Sequence, residues 1–158
     1  MIKATSDTSE AAFVTTFDKA LEGDFEGFKQ EKDPTKWPQY LREQDGQTAT
    51  RFIFRPMNPS KLSAIMDRTY HGIHFETLCW EVFCSSLIDI QNGPTAEVTD
   101  DNGQRKILVP KNKDGTVDKE WLEKVFVKDL RVIAVNVGGF AWRWNHLGDN
   151  DVPFLYGR

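Results

Sequence analysis

Apolar positions recur at three- and four-residue spacing in several stretches of the chain, and each such stretch predicts a helix with one buried face. From Ser9 or Glu10 onward, Ala12, Phe13, Phe17, Ala20 and Leu21 trace such a face, with Ser9 as a possible N-cap and Gly23 as a stop. Leu62, Ile65 and Met66 trace another, introduced by Asn58 as N-cap and Pro59 as first helical residue, and running to about Thr69. The most regular series is Phe75, Leu78, Cys79, Val82, Phe83, Leu87 and Ile90. It predicts a central core helix, separated from the preceding one by Gly72 and closed by Asn92-Gly93-Pro94.

Alternation takes over elsewhere. In 48–56, Phe52 and Phe54 fall on one side while Arg51, Ile53 and Arg55 fall on the other, the pattern of a half-buried strand ended by Pro56. AEV and RKILV form the β-prone arms of a hairpin over 96–109, turned by Asp101-Asn102-Gly103, and KNKDG supplies a second polar turn. Asp118 caps a helix through DKEWLEKVF, with Trp121, Leu122, Val125 and Phe126 inward. LRVIAVNVGGFAWRWNHL carries both signals: its β-branched run favours a strand, while Leu130, Ile133, Ala134, Val137 and Ala141 trace a helical face. With Asp129 as a cap ahead of it, helix is the preferred reading.

Three segments lack a regular pattern. Residues 1–9 are polar and unpatterned, and read as a mobile end or as a strap ordered only by a partner. DFEGFKQEKDPTKWPQYLREQDG places Phe25, Phe28, Trp37 and Tyr40 among charges and is broken by Pro34 and Pro38, so it reads as a wrapping connector with short helical turns. Its aromatics either cover the domain's own core or dock on a neighbour, the first being preferred. The closing DNDVPFLYGR is an extended tail, apolar at Val152, Phe154, Leu155 and Tyr156.

The length of 158 residues suffices for one domain burying about 70% of its unfolded surface, and is too short for two ordinary ones. The expected architecture is a single helix-rich α+β domain with a short antiparallel β element and extended terminal segments. Its parts are an acidic arm with a short helix at 1–33, the domain at 34–147 and a tail at 148–158. The net charge of −4 sits in the arm, which holds eight acids and four bases against sixteen of each in the remainder. A neutral body argues against a general phosphate-backbone binder. No run of about 18 apolar residues is present to span a bilayer, and MIKATSDTSE lacks the basic-then-apolar order of a secretory signal, so no membrane association is expected.

Candidate chemistry is sparse. His71, His74, Cys79, Cys84 and His146 are the residues from which a metal site would be built, but they lack a recognised four-ligand spacing, and no metal or cofactor is expected. Cys79 and Cys84 lie on or near the most apolar helical face, where a thiol acts as a small hydrophobe and a mutual disulfide is not expected. Phosphate-cradling loops and a nucleophile elbow are both missing, and DNGQ and KDGTVDKE fall short of a calcium loop. An enzyme is therefore not expected, and no catalytic residue is nominated.

The stretch RFIFRPMNPSKLSAIMD holds both aromatic and basic residues, as a single-strand nucleic-acid binder would. Alternation separates the two types, leaving nucleic acid as the lesser reading, carried by Arg51, Arg55, Arg131 and Arg143. The order DPTKWPQYLREQDGQTATRFIFRPMNPSKLSAIMD, an apolar helix and then LIDIQNG resembles the pattern of small tailed-phage morphogenesis proteins over 33–147. The Trp-rich FAWRWNHLGDNDVPFLYGR departs from it. The resemblance implies a tail-assembly chaperone or minor virion component without an active site. Such a protein works in a virion or host cytoplasm, as a homo-oligomer or multi-copy subunit among other phage structural proteins. The partner contacts expected on this reading are Phe13 and Phe17 in the arm, Trp37 and Tyr40 in the connector, Arg51 and Arg55 on the strand, and Trp142, Trp144, Phe154, Leu155 and Tyr156 at the end.

Overall fold

The computed structural model describes residues 10–70 and 73–146. The expectations placed on 1–9, His71, Gly72, Leu147, Phe154, Leu155 and Tyr156 lie outside the described residues. Among those described, helices and short antiparallel strands combine in an α+β fold.

Its centre is a three-stranded sheet in the order β1 (Ala11–Phe13), β4 (Arg51–Phe54), β5 (Leu87–Gln91), antiparallel throughout. Register sets Phe13 opposite Phe52, and Phe52 opposite Ile90, so these side chains share one face with Phe54 and Leu87, and all five are buried. Two helices cover that face, α3 (Phe75–Ser86) and α5 (Asp129–Asn145). Phe83 of α3 packs its ring against both Phe52 and Phe54, and Trp144 of α5 packs edge-on to Phe13. The two helices approach closely because Gly138 of α5 lies on the α3 backbone: a Cβ there would be 2.0 Å from the Cys79 carbonyl oxygen.

A smaller unit closes one side. β2 (Leu21–Gly23) pairs antiparallel with β3 (Leu41–Glu43), and between them lie α1 (Phe25–Gln30), capped by Asp24, and a 3-10 turn at Pro34–Gln39, capped by Asp33. The helical turns expected of the connector are present, and Phe28 and Trp37 are buried by them. α2 (Pro59–Arg68) begins as read: the Asn58 side chain accepts from the Ser60 N–H, and Pro59 occupies the first turn. α4 (Lys119–Val125) is capped by Asp118 and buries Leu122 with the following Phe126. The hairpin is β6 (Ala96–Thr99) and β7 (Arg105–Leu108), with Gly103 at φ +76° in its turn.

Three expectations are corrected. The helix expected between Ser9 and Gly23 is instead two strands joined by a polar turn. Thr15 and Asp18 hydrogen-bond to the backbone N–H groups of Phe17 and Ala20, a local alternative to helix, while Ala11–Phe13 gains ladder bonds to β4. Residues from Glu10 to Asp33 consequently belong to the body rather than to a separate arm. The central helix stops at Ser86 and Leu87–Gln91 is a strand, since Leu87 and Ile90 continue the helical spacing yet pair with β4. Asp129 lies inside α5, whose N-cap position is Lys128 at φ +54°, without a side-chain cap bond. The long final element is a helix, as preferred.

Candidate interaction surface

The strand–helix joint at 51–59 places its arginines on the sheet face opposite the aromatic core. Arg51 donates to Glu43 at 2.9 Å, and its guanidinium lies 5.4 Å from the centre of the Trp37 ring. The Ala49 N–H, above all, with the Arg51 hydrogen bond behind it, holds the Glu43 carboxyl below its ordinary range despite partial desolvation. Arg55 donates to the Asp114 carbonyl at 2.8 Å, with its other terminal nitrogen 3.8 Å from the Asp114 carboxylate. Asp114 is held low chiefly by the Thr116 hydroxyl and N–H, and only secondarily by Arg55.

The other two candidate arginines are also engaged. Arg131 stacks on Trp80 at 3.5 Å, and Arg143 reaches the Glu31 carbonyl at 3.5 Å beside the Phe140 ring. Burial lowers the pKa of Arg143. The four therefore stand in four separate settings and do not line up as one basic track.

The aromatic partner contacts divide. Phe13 is fully buried, and Trp37 is buried with its indole N–H on the Ala12 carbonyl at 3.1 Å, so both are corrected from surface contacts to core. Their burial follows from β1 joining the central sheet with the 3-10 turn over it. Tyr40 is half-buried, donating to Glu31 at 3.1 Å. Trp142 and Trp144 are half-buried against Phe75 and Phe13. Phe17 is 57% exposed and remains an open aromatic.

Two surface features were missed. The first is a groove of about 760 Å³ on the outer sheet face, bordered by Glu10, Ile53, Arg55, Met57, Asp89 and Lys111. It arises because a three-stranded sheet covered on one side leaves its other side open. The second is the β6–β7 hairpin, whose strands, among the described residues, make their substantial element contacts only with each other. Ile107 is 79% exposed, and every residue of β7 is solvent-facing. The adjacent Ile107 and Leu108 in an alternating strand were the available signal, since neighbours in a strand point to opposite faces and cannot share one core.

The thiols sit apart from this surface. Burial pushes Cys79 up to about 11 and Cys84 up to about 12, so both are protonated and poor nucleophiles at neutral pH. Among the described residues no group of three His, Cys, Asp or Glu side chains is placed to hold a metal, and no helix is long and apolar enough to cross a membrane. Neither a family model, nor a curated protein, nor a solved structure matches the chain.

Proposed function

We propose that this chain is a non-enzymatic structural or assembly protein that acts through protein–protein contacts, a multi-copy subunit of the kind that small tailed-phage morphogenesis proteins represent. Its neighbours are further copies of itself and other structural proteins of the particle. The observation that carries the reading is the β6–β7 hairpin. A two-stranded hairpin is at best marginally stable in water unless a third strand, a helix or a partner surface covers it. Among the described residues no third strand or helix makes substantial contact with this one, and Ile107 and Leu108 are exposed. A neighbouring subunit supplies the missing surface. The separate settings of the arginines favour this reading over nucleic-acid binding, which draws its affinity from a shared cationic face.

Sedimentation of the full chain, alone and with Ile107→Asp, tests the proposal. The expected result is a species heavier than the 18.1 kDa protomer that the substitution returns toward 18.1 kDa while its circular dichroism is unchanged. A chain that is monomeric at every concentration, with and without the substitution, would contradict it.

A further inference from the structure

The β6–β7 hairpin has two open backbone edges. The Asp100 N–H donates to the Gln104 carbonyl at 2.8 Å, in the same register that sets Val98 opposite Lys106 and Ala96 opposite Leu108. Hydrogen-bonded and non-hydrogen-bonded pairs alternate along an antiparallel ladder. The inward bonds therefore belong to those pairs, and the residues between them turn their N–H and C=O groups outward. On β6 these are Glu97 and Thr99, and on β7 Arg105 and Ile107. All are exposed, and among the described residues no backbone group outside the hairpin bonds to them.

The two edges differ in charge. β7 carries Arg105 and Lys106 and no acid, whereas β6 carries Glu97 and no cation and runs into Asp100 and Asp101 at the turn. Within the hairpin these charges already attract across the ladder, Arg105 to Glu97 at 3.4 Å and Lys106 to Asp100 at 3.5 Å. A strand with free edge groups is a template for another strand, and cations on it deter one of like charge. Opposite charges across a strand pair support it, and like charges directly opposite weaken it. The β7 edge thus suits an acidic extended strand whose own outward groups are free. β6 of a second copy is such a strand.

Resting on the assembly reading above, we propose that β7 of one copy pairs edge to edge and antiparallel with β6 of the next. The new ladder repeats the hairpin's own register, with Arg105 facing Thr99 and Ile107 facing Glu97 of the second copy. Each of these pairs exchanges the backbone bonds that the hairpin leaves unmade. Two hairpins become one four-stranded sheet, beyond the two strands that are marginal alone. The contact is head-to-tail: a free β6 edge remains at one end and a free β7 edge at the other, so further copies add until a ring closes.

Proline on one edge at a time tests this. Thr99→Pro removes an outward donor from β6 and Ile107→Pro removes one from β7, and an edge strand tolerates proline where the lost N–H faces away from the ladder. Each variant alone is expected to sediment at 18.1 kDa, and an equimolar mixture at twice that mass and no more, because each variant contributes one intact edge. Ile107→Val, which keeps the N–H, should assemble as the unaltered chain does. A second pair of variants avoids proline. Directly opposed residues in such a ladder lie about 5.5 Å apart at Cα, within disulfide range. With the native thiols buried, a chain carrying Thr99→Cys mixed with one carrying Arg105→Cys should give the mixed disulfide in excess of either self-linked product. Assembly of Thr99→Pro alone would show β7 pairing with β7, assembly of Ile107→Pro alone would show β6 pairing with β6, and either would overturn the proposal. So would a proline mixture that stays at 18.1 kDa together with no excess of the mixed disulfide. In those cases an unaltered chain that still sediments above 18.1 kDa leaves the assembly reading standing, whereas an unaltered chain at 18.1 kDa at every concentration overturns both.

Discussion

Gly138 and Gly139 are neighbours with opposite expected responses to a methyl group. At Gly138 a Cβ would stand 2.0 Å from the Cys79 carbonyl oxygen, a backbone atom that cannot yield without parting α3 from α5. Gly138→Ala should therefore cost about 3 kcal/mol, in the upper range for overpacking a core. At Gly139 the nearest contact is Cys79 Sγ at 3.4 Å, within ordinary packing distance. Gly139→Ala should be neutral or stabilising by up to about 1 kcal/mol through helix propensity. Urea denaturation of the pair reads the difference directly. Asn58→Ala, which removes the cap on the Ser60 N–H, should cost about 1 kcal/mol by the same assay. The thiols supply a further check: Cys79 and Cys84 should resist a disulfide reagent at pH 8 and react in full only once urea unfolds the chain.

The elements that could be read from sequence are those whose local chemistry and tertiary partners agree. Asn58-Pro59 and Asp118 are caps whatever surrounds them, and Asp101-Asn102-Gly103 turns a hairpin by its own conformational preferences. Leu87–Gln91 was illegible because Leu87 and Ile90 satisfy both a helical face and a strand face, and only the β4 edge decides between them. Ala11–Phe13 was illegible for a different reason, its three residues being too few for alternation to be seen. The surface was less legible still. Phe13 and Trp37 were among the expected partner contacts, yet both reach the core through long-range contacts that no local spacing encodes, which for Trp37 agrees with the preferred internal reading of the connector.

The polar joints between elements carry a pH dependence. Glu43 joins β3 to Ala49 and Arg51, Glu31 accepts foremost from the Asp33 N–H, and Asp114 accepts from Thr116. All three carboxyls lie below their ordinary values in the folded chain. An unfolded chain thus takes up protons first, so the stabilisation is complete above the ordinary carboxyl range near pH 4 and is lost as pH falls through the lower folded values. The urea midpoint should be flat from about pH 7 to 5 and decline toward about pH 3. Glu43→Gln, which removes one titrating group, should make that decline shallower.

At the scale of the whole molecule, one compact core carries a hairpin it does not cover. The helix pair and the central sheet bury Phe13, Phe52, Phe54 and Phe83, which would otherwise compete for partners, leaving β6–β7 as the least covered element among the described residues. Subunit contact and hairpin order are then the same event on the proposed reading. Hydrogen exchange of the β6 and β7 amides as a function of protein concentration measures that event most directly. Rapid exchange is expected in dilute solution, slowing in step with the rise in sedimenting mass above 18.1 kDa, with the β4 amides slow throughout. Exchange in the hairpin that is independent of concentration, in a chain that stays at 18.1 kDa, would contradict it.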